Sequence, residues 1–335
     1  MSLSPWKSAV VFVSLVLLSF SAGFYSGRFF DFGIKKEWFQ QRQKGGYKFI
    51  NPLLECEDIF DDTLPAEYKQ MKKSLANEVD RLMNGSVHHI SLYFRDLNNG
   101  DYYGFNEKEK FTPASLLKVP VMIAYLKLAE RDPRLLDKEV VFHEKEDLVA
   151  EILGAQTGVS LVDGQKYTIE ELIRIMIQES YNPAAYLLLD NIGQEELAKV
   201  FTELGLKAPV ADEIENFMTV REYASFFRIL YNATYLNKEM SEKALSILAG
   251  SKFGDGLVAG APLELAVSHK FGVRQLEDVI QFHDCGVVYY PENPYLICIM
   301  TRGRELNSQT EAVRKLSKKV YGIYDRMKRE GRSEG

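Results

Sequence analysis

Three observations predict an α/β fold of the α+β type, in which one antiparallel sheet drawn from both ends of the domain is flanked by helices and interrupted by an all-helical subdomain. Strand patterns cluster at residues 89–105 and again at 265–301, the stretch between them carries apolar residues at helical spacing, and an amphipathic helix precedes the first strands and follows the last.

Taken in order, Pro65 to Met83 is the first helix, with Pro65 suited to a first turn and Asn84-Gly85 as its stop. His89-Ile-Ser-Leu-Tyr-Phe-Arg95 and Tyr102-Tyr-Gly-Phe105 flank Asn98-Asn-Gly100, a hairpin signal. A helix is expected from Ser115 to about Glu130. Thr168 to Gln178 opens on Thr168-Ile-Glu-Glu171, a capping-box pattern in which Thr and Glu satisfy each other's backbone N–H groups. Pro183 to Asp190, Thr219 to Tyr231 and Ser241 to Ala249 complete the helical set. Leu265–Lys270, His283–Tyr290 and Leu296–Thr301 read as strands, the last two joined by Pro291-Glu-Asn-Pro294, and Ser308 to Met327 is the closing helix.

Outside this domain, residues 1–7 form a short flank and 8–27 an uncharged apolar stretch long enough to span a bilayer, either a transmembrane signal-anchor or a cleaved signal peptide. Residues 28–48 read as a juxtamembrane linker, and 49–335 as the folded domain. Only Lys7 precedes the span, whereas Arg28, Lys35 and Lys36 follow it, a balance that by itself does not favour export. A net charge of -6 leaves no basic field for nucleic acid. The three cysteines, Cys56, Cys285 and Cys298, have neither metal-ligand nor paired spacing and read as buried small hydrophobes. His88 and His89 enter a strand, where one side chain points in and the other out, so a shared metal is not expected. No metal and no cofactor is expected elsewhere.

The chemistry centres on Phe111-Thr-Pro-Ala-Ser-Leu-Leu-Lys118. A serine and a lysine three residues apart share one helix face, so the Lys118 amine can activate the Ser115 hydroxyl, which is a weak nucleophile at its free pKa. The spacing recurs at Ser4-Pro-Trp-Lys7, where no such chemistry is plausible, so its weight depends on its companions. Ser180-Tyr-Asn182 sits at a junction between helices, where Pro183 disfavours the helical state for Asn182. Its polar side chains suit either a local cap or a proton shuttle (Ser180) with a substrate-orienting amide (Asn182). Lys270-Phe-Gly272 ends an apolar strand, where lysine can point into a cleft and glycine admits a ligand to the backbone. Two other Lys-x-Gly copies, at Lys44 and Lys252, fall in the linker and in a glycine-rich turn.

Ser-x-x-Lys, Ser-x-Asn and Lys-x-Gly in this order, each in suitable local structure, make the chain resemble the class A β-lactamases and penicillin-binding proteins over about residues 65–327. Asn182-Pro-Ala-Ala-Tyr-Leu-Leu-Leu189, Asn191-Ile-Gly193 and Gly256-Leu-Val-Ala-Gly-Ala-Pro262 extend the resemblance. It implies that Ser115 forms an acyl-enzyme, with Lys118 as base or relay. Ser180 would pass a proton to the leaving nitrogen, Asn182 and Gly272 would contact substrate, and Lys270 would supply positive potential. The oxyanion would be held by the N–H groups of Ser115 and Val273. The implied partners are a β-lactam or a peptidoglycan stem peptide ending in D-Ala-D-Ala, substrates that place the domain outside the cell membrane, anchored by a single pass. Two departures stand out. Phe271 occupies the position of a hydroxyl residue that meets the substrate carboxylate, and no Glu-x-x-Leu-Asn loop supplies a base for deacylation. Asp212, Glu213 and Glu215 are the candidate carboxylates in that region, or else solvated loop charges. Slow turnover of the acyl-enzyme is therefore expected. A catalytically idle domain that binds wall peptide or a partner in the same cleft is the alternative.

Overall fold

The computed structural model describes residues 47–51, 64–143, 160–209 and 215–333. The expected anchor, the Ser4 and Lys44 motif copies, Cys56, Asp212 and Glu213 lie outside the described residues. Among the described residues, no helix is long and apolar enough to cross a membrane.

The expected antiparallel sheet is present, with five strands in the order β2-β1-β9-β8-β7. Strands β1 (Val87–Asp96) and β2 (Tyr102–Phe105) come from the first part of the domain, and β7 (Val267–Leu276), β8 (Val279–Val288) and β9 (Tyr295–Gly303) from the last. The two parts join where β1 pairs with β9, Ile90 opposite Thr301 and Phe94 opposite Ile297. β9 is buried almost throughout and reads as a nearly continuous apolar run, as a strand covered on both faces must. β7 runs six residues past the expected Lys270 and turns at Glu277, which adopts a left-handed φ of 53°.

One face of the sheet packs against α1 (Ala66–Leu82) and α8 (Leu306–Ser333). In α8, Ala312, Leu316, Val320 and Tyr324 recur every four residues and are all buried. The other face meets the helical subdomain: α2 (Lys118–Ala129), α3 (Ile169–Gln178), α4 (Asn182–Asn191), α5 (Gln194–Glu203), α6 (Val220–Asn232) and α7 (Lys238–Ala249). Two-stranded ladders complete this half, β3 (Lys110–Phe111) with β6 (Met218–Thr219), and β4 (Glu139–Val141) with β5 (Lys166–Thr168). The capping box of α3 forms as expected, Glu171 N–H donating to Thr168 Oγ1 (3.2 Å) and Thr168 N–H to Glu171 Oε2 (2.8 Å). Helix α2 is the hub. Ten of its residues, from Lys118 to Ala129, are buried, so it is apolar on every side, and Tyr125 donates from its hydroxyl to Leu188 O of α4 at 2.6 Å.

Two expectations are corrected here. Cys285 and Cys298 are buried, but they are joined as a disulfide, because strand register sets them opposite each other on β8 and β9. Pairing by register leaves no spacing signature in the sequence. His88 and His89 are both exposed, because a register shift between Val87 and His89 breaks the alternation that would turn one of them inward.

Candidate active site

Three segments converge on one cleft. The first is a short 3-10 turn, Ala114–Leu117, that runs directly into α2 and carries Ser115 one turn before Lys118. Ala114 enters it at φ 53°, a left-handed conformation unusual for a residue with a Cβ, which turns the chain abruptly into the helix. The second is the α3–α4 corner. There the backbone break falls at Ser180, with φ 55°, and Tyr181, while Asn182 is already the first residue of α4; the proline after it acts one residue earlier than expected. The third is β7, the sheet's edge strand, carrying Lys270 and Gly272.

Lys118, Ser180, Asn182 and Lys270 form one hydrogen-bonded cluster. Lys118 Nζ donates to Asn182 Oδ1 (2.7 Å), to the Ser180 carbonyl, and at longer range to Ser180 Oγ (3.4 Å). Lys270 Nζ donates to Ser180 Oγ (2.8 Å) and to Phe271 O (2.9 Å). The Ser180 hydroxyl thus lies between two lysine amines. Lys270 is fully buried, and its pKa is driven well below the ordinary lysine value, chiefly by loss of hydration and then by the neighbouring Lys118, against an opposing pull from Asp284. A buried pair of amines that cannot both hold a proton easily is equipped to pass one.

Gly272 also has a packing use. A Cβ there would lie 2.7 Å from Pro113 O and 3.1 Å from Leu116 N, so the missing side chain admits the Ser115 turn against β7. Gly272→Ala is therefore expected to displace the Ser115 turn and lower its acylation rate about a hundred-fold, since misplacing a reacting group by about 1 Å costs on that order. Rapid-mixing labelling compared with a thermal melt checks this; an unchanged rate would show that the turn does not depend on that packing.

Phe271 does not replace a hydroxyl with empty space. Its ring stacks on Phe253 (centroids 4.0 Å apart, 22° between planes), and Lys270 Nζ sits 4.2 Å from its centroid. Phe253 is the central residue of the second Lys-x-Gly copy, so the motif read as incidental supplies the aromatic partner of the true one.

Behind the Ser115 turn lies a polar network that sequence reasoning missed. Thr112 N–H donates to Gln281 Oε1 (3.0 Å), and Thr112 Oγ1 donates to Glu215 Oε2 (2.6 Å) while accepting from Asn216 N–H (2.9 Å). His283 Nδ1 faces the Thr301 N–H (3.3 Å) and so takes the acceptor role, leaving the Nε2 proton to donate to Thr112 O (3.1 Å). Burial lowers the pKa of His283 to about 4, which keeps it neutral and fixed in that tautomer. Gln281 and His283, two apart on β8, share one face, a period-2 signal open to reading once the strand is extended past its expected start.

Of the three carboxylates singled out in the sequence, only Glu215 lies among the described residues, and it is not a solvated loop charge. Oε2 accepts from Thr112, and Oε1 accepts from Arg274 Nε (3.1 Å) and Nη2 (2.7 Å). Partial burial raises its pKa, but the bonds from Thr112 and Arg274 outweigh this and hold it below the usual glutamate value. Among the described residues, no group of three His, Cys, Asp or Glu side chains is placed to hold a metal ion.

A serine preceding its lysine by one turn, a second serine bridging two lysine amines, and an antiparallel sheet with an inserted helical lobe define a serine hydrolase of the β-lactamase-like type. The family model described as "Beta-lactamase enzyme family" matches residues 73–324, and the chain belongs to that family. No curated protein matches it in sequence. Among solved structures, it is similar to PBP-A, a variant of which is known as its acyl-enzyme complex with penicillin G, at 22% identity and a TM-score of 0.64, over 78% of this chain and 100% of that one. A β-lactamase from Chitinophaga pinensis is similar at 16% identity and a TM-score of 0.64, over 76% of this chain and 99% of that one. One from Xanthomonas campestris pv. campestris is similar at 18% identity and a TM-score of 0.64, over 76% of this chain and 98% of that one. At these identities the likeness to solved structures speaks to the fold. The family membership and the intact lysine–serine cluster do not favour a catalytically idle binding domain.

Proposed function

We propose that Ser115 forms an acyl-enzyme with β-lactams or with D-Ala-D-Ala peptidoglycan termini, and that the adduct is released slowly. The observation that carries this reading is the Ser180 hydroxyl held between Lys270 and Lys118, with Ser115 one turn before Lys118. Ser115 Oγ attacks the substrate carbonyl carbon and gives its proton to Lys118 Nζ, which takes it when the amine is unprotonated. The resulting oxyanion is held by the N–H groups of Ser115 and Val273, an interaction worth about 3 kcal/mol of barrier per donor. As the C–N bond breaks, the Ser180 hydroxyl protonates the leaving nitrogen and regains a proton from the lysine pair, leaving an ester on Ser115. Asn182 Oδ1, already fixed by Lys118, orients the substrate amide, and Lys270, when it carries a proton, lends positive potential to a substrate carboxylate.

Slow release is supported by Glu215, whose oxygens are both engaged and whose proton affinity is lowered, which makes it a poor base for water. Water attack without a positioned base is slower by about two to four orders of magnitude. The domain would stand outside the cell membrane, with residues 8–27 as its anchor and 28–48 as the tether. A radiolabelled penicillin tests the chemistry: the expected result is a covalent adduct that persists and is absent from Ser115→Ala. An unlabelled wild type would refute acylation, and prompt loss of label would refute slow release.

A further inference from the structure

We infer that Glu215 is a positioning residue that clamps the two halves of the oxyanion site together. One of its oxygens holds Thr112, three residues before Ser115, and the other holds Arg274, the residue after Val273. Ser115 and Val273 are the two N–H donors of the proposed oxyanion site, so this inference rests on the acylation reading. The donors sit on separate elements, a strained turn and the free edge of the sheet, and neither element alone fixes their separation. Packing at Gly272 lets them approach. Glu215 adds a directional tie on the far side, with Thr112 in turn fastened to β8 through Gln281.

Two other roles fit less well. A general base faces the acyl carbonyl, whereas Glu215 turns Oε2 to Thr112 and Oε1 to the guanidinium of Arg274, and these bonds also hold its proton affinity below the usual glutamate range. A tie made only for stability would be weak here, because the Glu215 and Arg274 side chains keep 33% and 37% of their exposure and such ion pairs contribute little to folding. The same weakness makes the rate informative, since a loss of rate without a loss of fold cannot come from unfolding.

The test uses the full chain with a fluorescent penicillin, separating the limiting acylation rate from the half-saturating concentration, for wild type, Glu215→Gln, Arg274→Gln and the double variant. Each single change is expected to lower the limiting rate about ten- to a hundred-fold, the scale on which misplaced reacting groups act, with little change in half-saturation or in the thermal melt. The double variant should be no slower than the slower single one, because both break the same clamp. Wild-type rates in both single variants would overturn the inference alone. So would slower loss of the adduct in Glu215→Gln with unchanged acylation, which would make Glu215 the deacylating base. A wild type that takes no label at Ser115 would instead overturn the acylation reading, and the clamp with it.

Discussion

Lys118→Ala is expected to cut acylation of Ser115 by about two to four orders of magnitude while leaving the protein folded, the usual scale for losing a positioned proton acceptor. The loss has a second source beside the missing proton acceptor. Lys270 is kept poor in protons first by burial and second by the charge of Lys118. Removing Lys118 lets Lys270 hold its proton more firmly, and Lys270 Nζ then donates steadily to Ser180 Oγ rather than exchanging a proton with it. Asn182 Oδ1 and the Ser180 carbonyl also lose their donor, so the substrate-orienting amide is freed to rotate. Rapid-mixing labelling of Lys118→Ala and Lys270→Ala beside wild type, with melting curves for each, checks this. A loss below ten-fold in Lys118→Ala would assign the first proton transfer to another group.

Asp96→Ala is expected to bring the largest loss of stability, about 3–5 kcal/mol, because it strands groups that a buried carboxylate now serves. Asp96 Oδ2 accepts from the hydroxyls of Tyr68 on α1 and Tyr324 on α8, both at 2.6 Å, and from Lys328 Nζ at 2.8 Å. Oδ1 accepts from the N–H groups of Asn98 (2.8 Å) and Asn99 (3.3 Å) and so shapes the β1–β2 turn. One carboxylate therefore fastens both outer helices to the end of β1. Burial raises its pKa, but Lys328 and the two tyrosine hydroxyls prevail and place it below the ordinary aspartate value. The unfolded chain then takes up the proton first as acid is added, near pH 4, so the stabilisation is complete above that pH and is lost as pH falls through the folded value. Denaturant midpoints at pH 7 and pH 3 should show a large gap between wild type and variant at neutrality and a narrower one in acid. Equal gaps at both would assign the effect to packing alone.

The long, strongly periodic helices and the hairpin around Asn98-Asn-Gly100 were legible because their local signals agree with their tertiary surroundings. Thr168 and Glu171 are one such case, where a four-residue pattern and the observed bonds coincide. Helix α5 carries its apolar spacing at Leu197, Val200 and Phe201 but starts at Gly193 with no side-chain cap, so no start signal marks it in the sequence. Ser115, Lys118, Ser180, Asn182 and Lys270 were legible as residue types in order, and the structure adds the Lys118–Ser180–Lys270 chain of hydrogen bonds. What could not be read was anything fixed by strand register or close approach: the Cys285–Cys298 bridge, the clearance at Gly272, and the ties from Thr112 to Glu215, Gln281 and His283. These join residues separated by up to 171 positions, and no local pattern encodes such distances.

The pairing of β1 with β9 also has a meaning for synthesis. When Ser115 has left the ribosome, the partner of its neighbouring strand, Tyr295 to Gly303, has yet to be made, and so has Lys270. The helical lobe packs partly on itself, α3 on α4 and α2 on α5, but α6 and α7 also pack on β9 and β7, so both the lobe and the β1–β2 hairpin wait for the last strands. A chain cut short between α2 and β9 would carry Ser115 and Lys118 without the complete sheet that positions them. The last fifth of the protein thus acts as the release on its own reactivity.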